Sequence, residues 1–82
     1  MMNVYTMKID SANNTLTVGV TALFDFFEDF DGHEQCNIHL NSVQIVHGNR
    51  RREVLPLLTK EQRDFIFEEI NRQEDQKYQD FF

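Results

Sequence analysis

The C-terminal quarter of the chain carries the clearest hydrophobic pattern. Ile66 and Ile70 stand four residues apart, and charged or polar side chains occupy most of the positions around them. Apolar residues at this spacing lie on one stripe of an α-helix, so the pattern predicts an amphipathic helix from Thr59 to about Lys77. Thr59 and Gln62 also have the spacing of a capping box, in which each side chain bonds the other residue's backbone N–H.

The first half of the chain alternates apolar and polar residues with a period of two, which is typical of β-strands. Residues 3–9 form the first predicted strand, and the turn-forming residues 10–14 end it. The second strand begins at Thr15. Residues 23–34 fit either an extension of this strand or a short helical turn, and we favour a strand that continues to about Phe27, where a loop follows. One face of this strand carries four apolar side chains: Leu16, Val18, Val20 and Ala22.

A third strand is predicted over residues 35–47, with a change of phase in its middle. Two sets of apolar positions alternate out of step with each other: Cys36, Ile38 and Leu40, then Val43 and Ile45. A β-bulge at residues 41–42 accounts for this change, since a bulge inserts one extra residue into a strand. After a turn, Pro56 limits the next stretch to a short extended or edge segment, because proline cannot donate a ladder hydrogen bond.

The order of these elements predicts an α+β fold, a three- to four-stranded antiparallel meander with one C-terminal helix packed on one face. A chain of 82 residues is expected to form a single domain, residues 1–82. The predicted core between sheet and helix consists of ten aliphatic side chains: Leu16, Val18, Val20, Ile38, Leu40, Val43, Ile45, Leu58, Ile66 and Ile70.

The stretch from residue 43 to residue 70 resembles a known class of sequences. It contains Val43-x-Ile45-Val46, a turn, Val54-Leu55-x-Leu57-Leu58-Thr59-x-Glu61-Gln62, and then Ile66 and Ile70. This pattern is similar to the C-terminal half of many small proteins encoded by phages and prophages, and the likeness in layout covers residues 16–72. The resemblance implies a β-meander with a C-terminal helix and a phage or prophage origin. It carries over no site, because the matched positions are core and cap residues.

The net charge of −6 is concentrated in one stretch of the chain. Residues 23–35 contain five carboxylates and neither lysine nor arginine: Asp25, Glu28, Asp29, Asp31 and Glu34. Binding a phosphate backbone requires clustered Lys and Arg, and the arginine triplet at residues 50–52 is too short to supply them, so direct nucleic-acid binding is not expected. The predicted partner is a host or phage protein with a basic surface.

Phenylalanines are interleaved with these carboxylates, and eight occur in the whole chain. In the simpler interpretation, Phe24 and Phe26 close the edge of the core and the acids are merely solvated. The functional interpretation is an exposed aromatic and acidic contact surface, because a small one-sided sheet cannot easily bury four rings within seven residues. The predicted partner-binding residues are the five carboxylates together with Phe27, Phe30, Phe81 and Phe82.

The same rings predict two further uses of the surface. A homodimer is hypothesised through some of the rings at positions 26, 27, 30, 81 and 82, with a symmetric apolar patch as the contact. The C-terminal residues 74–82 also resemble in kind the acidic, phenylalanine-terminated tails of single-stranded-DNA-binding proteins, which implies a docking peptide.

Candidate metal ligands are His33, Cys36 and His39, with two more ligand types nearby at Glu34 and His47. A tetrahedral zinc site needs four ligands that converge at about 2.0–2.3 Å. Cys36 and His39 are three positions apart on one predicted strand and face opposite sides, so no metal site is expected unless the bulge lies between them. The alternative is surface histidines and a buried cysteine.

The sequence shows no phosphate-binding glycine loop, nucleophile elbow or catalytic-triad spacing, so neither an enzyme nor a cofactor is expected. No window approaches the roughly 18 apolar residues that span a bilayer, and the single cysteine fits a reducing compartment, so a cytoplasmic protein without membrane contact is expected. The predicted function is that of a phage-type acidic protein–protein interaction module that inhibits a host nucleic-acid-binding factor. The alternative is a phage structural or assembly accessory protein that acts by self-association.

Overall fold

A computed structural model describes residues 2–79, with the side chains of residues 78 and 79 excepted. The elements follow the chain as β1 (Met2–Ser11), β2 (Asn14–Glu28), β3 (Glu34–His47), β4 (Arg50–Glu53), a 3₁₀ turn (Leu55–Leu57) and α1 (Lys60–Gln79). The four strands form one antiparallel sheet in the order β1-β2-β3-β4. The predicted α+β meander with one C-terminal helix is confirmed.

The helix α1 covers one face of the sheet and buries its isoleucine stripe there. Ile66 and Ile70 are fully buried, as the spacing predicts, and they face the inner side of β1 and β2. The residues that share this core are Tyr5, Met7, Ile9, Val18, Val20, Ala22, Phe24, Val43 and Val54. Burying such side chains stabilises the fold by about 1.5–3 kcal/mol each, which is what holds a helix of this length in place.

The core differs from the predicted one in two respects. The first strand contributes Tyr5, Met7 and Ile9, which the prediction omitted, because α1 lies over β1 rather than over β3. Conversely, five predicted core residues are only partly buried: Leu16, Ile38, Leu40, Ile45 and Leu58. The region before α1 is also more compact than an extended segment, since Pro56 lies in the 3₁₀ turn.

The predicted bulge in β3 is present. Thr21 of β2 pairs with Ser42 and Ala22 pairs with Leu40, so the residue between these partners, Asn41, is the extra one. Because of it, the two out-of-step sets of apolar residues in β3 lie on the same face of the sheet. The carboxylate of Glu53 holds this point, since it accepts hydrogen bonds from the Ser42 hydroxyl at 2.7 Å and from the Val43 N–H at 3.2 Å.

The start of α1 is closed by the predicted capping box. The Thr59 hydroxyl accepts a hydrogen bond from the Gln62 N–H at 3.1 Å, and the Gln62 side chain accepts one from the Thr59 N–H at 2.9 Å. Two glutamines then fasten the helix to the outer edge of β1. The Gln62 amide donates to the Asp10 carbonyl at 3.0 Å, and the Gln73 amide donates to the Thr6 carbonyl at 3.2 Å.

A hydrogen bond between Tyr5 and Glu74 fixes the other end of α1. The Tyr5 hydroxyl donates to the Glu74 carboxylate, and the Lys77 ammonium lies 3.3 Å from the same carboxylate and 5.6 Å from the centre of the Tyr5 ring. Burial raises the pKa of the Tyr5 phenol to about 12, and the hydrogen bond to Glu74 adds to the shift. The same hydrogen bond lowers the pKa of Glu74.

Candidate protein-binding arm

The end of the β2–β3 hairpin extends beyond the first strand. The register of β1 begins with Met2 opposite Leu23, so from Phe24 onward β2 has only β3 as a neighbouring strand within residues 2–79. We call this part, residues 24–38, the acidic arm. Its five residue pairs, from Phe24 with Ile38 to Glu28 with Glu34, give it a length of about 17 Å before the loop at its tip.

The two faces of the acidic arm present different side chains, because successive residues of a strand point to opposite sides. The face on the helix side carries Phe24, Phe26, Glu28, Glu34, Cys36 and Ile38, and the other face carries Asp25, Phe27, Gln35 and Asn37. Phe26 is 57% exposed and Phe27 is 44% exposed, whereas Phe30 at the tip is fully exposed. Each face and the tip of the arm therefore offer at least one accessible ring beside carboxylates.

An aromatic row connects the arm to the core. The buried Tyr5 ring meets Phe24 edge to face at a centroid distance of 6.5 Å, and Phe24 stacks with Phe26 at 6.4 Å. Phe24 is thus the buried end of the arm, as one interpretation of the sequence predicted, but Phe26 is not. Because its neighbour is held by the core, Phe26 is presented to solvent in a fixed position, which lowers the entropic cost of binding.

The loop at the tip is ordered by the carboxylate of Asp29. One of its oxygens accepts hydrogen bonds from the backbone N–H of Asp31 at 3.0 Å and of His33 at 2.9 Å, and the other accepts one from the Gln35 amide at 3.2 Å. The His33 N–H is the main reason that the pKa of Asp29 is lowered. Gly32 completes the turn with a φ of +78°, a conformation that glycine adopts without steric cost.

The candidate metal ligands do not converge. Cys36 lies on the helix side of β3 and His39 on the opposite side, and the bulge at Asn41 lies beyond both. Cys36 is exposed rather than buried, so the alternative of a buried cysteine was wrong. Asp29, Asp31 and His33 do bring ligand atoms within 4.8 Å of one another, but the loop's own hydrogen bonds already use both Asp29 oxygens.

A recess of about 300 Å³ lies between the arm and the C-terminal half of α1. Its lining consists of Asn3, Phe24, Phe26, Cys36, Ile38, Asn71 and Glu74. The lining thus combines two rings and Ile38 with the carboxylate of Glu74. Sequence reasoning did not find this recess, since it depends on the direction in which α1 crosses the sheet.

Basic side chains gather at the opposite end of the molecule. The exposed arginines of β4, Arg50, Arg51 and Arg52, pair with the far end of β3. Lys60 and Arg63, in the first turns of α1, outnumber the one carboxylate, Asp64, in a groove of about 560 Å³ between α1 and the middle of β3. Two of the remaining basic residues are paired, since Arg72 bonds Glu69 and Lys77 bonds Glu74, and Lys8 is exposed on β1. The acidic arm and this basic end give the molecule a charge polarity along β3.

The structure brings most of the predicted partner-binding residues into one element. Asp25 and Phe27 lie on one face of the arm, Glu28 and Glu34 form a cross-strand pair on the other, and Phe30 and Asp31 lie at the tip. Asp29 is at the tip as well, but its contacts give it a role in ordering the loop. Phe81 and Phe82 lie outside the described residues.

None of the described helices combines the length and apolarity that crossing a bilayer requires. Comparison with known proteins adds no relative. No protein-family model matches the chain, and no curated protein or solved structure matches it. The fold and the surfaces described above are therefore the basis for an assignment of function.

Proposed function

We propose that this chain is a protein–protein interaction module that binds the basic surface of a partner through the acidic arm. The observation that carries the proposal is the arm itself, which extends from the rest of the sheet and exposes Phe26, Phe27 and Phe30 among carboxylates. Exposed aromatic side chains surrounded by charges are typical of surfaces that bind a partner.

The arm has the two properties that such binding requires. Its carboxylates attract a basic partner over distances up to the Debye length, about 8–10 Å at physiological salt, which raises the association rate. Its rings supply apolar area for the contact, and the stacking of Phe26 on Phe24 keeps one of them in place before the partner arrives.

The finer part of the proposal concerns the partner and the biological role. A basic groove that binds nucleic acid is complementary to a row of carboxylates, so the partner is a host nucleic-acid-binding protein and the chain acts as its inhibitor. This role fits the phage origin that the sequence resemblance implies. The cytoplasm, where such a partner resides, is the proposed location.

Affinity capture from host lysate with the wild-type chain and two arm variants tests the proposal. Phe27→Ala should reduce capture of the partner about tenfold or more, because it removes a contact ring. Glu28→Lys combined with Asp31→Lys should reduce capture and also abolish its dependence on salt. An excess of duplex DNA should compete with the wild-type chain for the same partner.

Matched controls separate the arm from the rest of the surface. Phe65 on α1 is 44% exposed, the same fraction as Phe27, and Asp75 is an exposed carboxylate outside the arm. Phe65→Ala and Asp75→Lys should leave capture unchanged. Capture that responds equally to the arm and control variants, or to neither, contradicts the proposal.

A specific observation favours self-association as the second candidate function, that of a structural or assembly accessory protein. The face of the sheet opposite α1 exposes a cluster of apolar side chains at Met2, Val4 and Leu23, and Phe27 lies further along β2 on the same face. Val4→Lys places a charge in this cluster without touching the core. A change in molecular mass on this substitution, measured by light scattering, would support self-association through this face.

A further inference from the structure

The two edges of the sheet are finished in different ways. At the β1 edge, Gln62 and Gln73 of α1 donate hydrogen bonds to the outward-pointing carbonyls of Asp10 and Thr6. At the other edge, β4 pairs only with residues 44–47 of β3. The segment Glu34–Leu40 therefore has no neighbouring strand on its outer side within the described part of the chain.

The register shows which backbone groups this open edge presents. The carbonyls of Thr6 and Asp10 point away from β2. Backbone N–H and C=O groups change side from one residue to the next, so those of the odd-numbered residues of β1 point towards β2. By the pairing of β1 with β2, the backbone groups of the even-numbered residues of β2 point to β1 and those of the odd-numbered residues point to β3. By the pairing of β2 with β3, the backbone groups of residues 35, 37 and 39 of β3 point towards β2. The N–H and C=O groups of Cys36, Ile38 and Leu40 then point outward.

The open segment lacks most of the features that keep sheet edges apart, and the 3₁₀ turn borders only its end at residues 38–40. Between Glu34 and Leu40 there is no lysine, arginine or proline, and the bulge at Asn41 comes after the segment. Unpaired edges of this kind are templates for an added strand. The segment also carries two apolar side chains, Ile38 and Leu40, which border the groove next to α1.

The charges of the molecule select the strand that would be added. If a second copy pairs antiparallel with the same segment about a two-fold axis near Asn37, its Glu34, where the tip loop meets β3, lies three residues from the axis, about 10 Å along the strand. That Glu34 lies opposite Leu40 of the first copy, which borders the groove lined by Lys60 and Arg63. The acidic tip of one copy then comes close to Lys60 and Arg63 of the other, on the side of the molecule where β4 carries its three arginines.

We infer that this chain forms a two-fold symmetric dimer in which the β3 edges of two copies pair antiparallel over Glu34–Leu40 and join the two sheets into one of eight strands. The bonding groups are backbone atoms, and the opposite charges at the two ends of each copy set the antiparallel direction. The inference goes beyond the proposed function, because the rings on the two faces of the arm do not take part in the shared edge. The tip carboxylates are shared between the two roles, so the dimer and a basic partner compete for them.

Sedimentation of the full chain over a range of concentrations tests this dimer. Cys36→Pro removes an outward N–H without removing a bond to β2, and proline is tolerated at such edge positions. This variant should raise the dissociation constant of the dimer at least about tenfold, since the two-fold axis makes every lost contact occur twice. Cys36→Ala keeps the backbone donor and is the matched control, for which no change is expected.

Cross-linking of the single cysteine gives a readout that does not depend on the proline variant. In the antiparallel arrangement the two Cys36 side chains are diagonal neighbours on one face, about 7–8 Å apart, so a short bis-maleimide should join two copies. A chain with Cys36→Ala and Thr17→Cys carries the thiol on the open face of β2, and it should not be joined.

Each result either supports or overturns the pairing of two β3 edges. A concentration-dependent dimer that Cys36→Pro weakens, and that cross-links through Cys36 alone, supports it. If the proline variant does not fold, the cross-linking pattern decides. A monomer at high micromolar concentration, or a dimer that cross-links equally through either cysteine, overturns it. Phe27→Ala should leave the dimer intact, so a failure of the proposed function would be seen separately.

Discussion

The basal and distal halves of the β2–β3 hairpin have the same alternation of side chains but different surroundings. In the basal half, Val18, Val20 and Val43 are fully buried between the sheet and α1. In the acidic arm, Phe26 and Cys36 occupy the equivalent face and are exposed, because the described part of β1 reaches only as far as Leu23 and α1 lies over β1. A strand residue is buried here only where α1 covers it. The alternation of side chains along the strand does not by itself determine burial.

This difference predicts that the two halves contribute unequally to stability. The basal half carries the apolar contacts that oppose unfolding, whereas the arm is held by ladder hydrogen bonds and a few ring contacts. The molecule thus combines a cooperative base with an arm whose side chains are free to bind. Three experiments test this division.

The largest effect is expected from a cavity in the base. Ile70→Ala should lower the free energy of unfolding by about 2–5 kcal/mol, because Ile70 is fully buried and its neighbours cannot close the space completely. Phe30→Ala in the arm removes a larger side chain and should change it by less than about 0.5 kcal/mol, since Phe30 is fully exposed. Urea denaturation measures both, and equal losses for the two variants would contradict the division.

A smaller effect is expected at high pH from Tyr5, which lies where the base meets the arm. Its pKa is near 10 in the unfolded chain and about 12 in the folded one, so its contribution is complete below pH 10 and is lost as the pH rises through 12. Two pKa units correspond to roughly 2.7 kcal/mol of stability. Urea titrations at several pH values should show this loss in the wild type and a shallower one in Tyr5→Phe. Parallel pH dependence of the two proteins would contradict the assignment.

The smallest effect on global stability is expected from Asp29. Its pKa is lowered in the folded chain, so the order that it gives to the tip is present above its unfolded pKa and is lost as the pH falls through the folded value. Asp29→Asn should mimic this loss at neutral pH. Amide hydrogen exchange should become faster at Asp31 and His33, while the denaturation midpoint stays unchanged. A large drop in the midpoint would show that the arm belongs to the cooperative base.

Much of the base could be predicted from sequence because each of its elements has a local signal. The isoleucine spacing and the capping box of Thr59 and Gln62 predict α1, and the change of phase in β3 predicts the bulge. These signals act within a few residues of one another, so they do not depend on the rest of the fold.

The remaining features depend on which layer covers which strand, and no local pattern specifies that. Tyr5, Met7 and Ile9 were missed because Val4 is also apolar and the face of β1 could not be chosen without α1. For the same reason Cys36 was expected to be buried, although α1 leaves that part of β3 uncovered. The acidic arm could be predicted as a composition of rings and carboxylates, but its extension beyond β1 follows only from the register of the strands.

The extra residue in β3 has a consequence for how the arm could be re-aimed by evolution or design. Deleting Asn41 would leave Leu40 next to Ser42, and the side chains on either side of the deletion would still alternate in the same phase. A bulge increases local twist and bends its strand, so its removal would straighten the hairpin while every ring and carboxylate kept its face. Direction and chemistry of the arm are thus set by different residues. A library of single-residue insertions and deletions at this joint would sample orientations of the arm at constant surface composition.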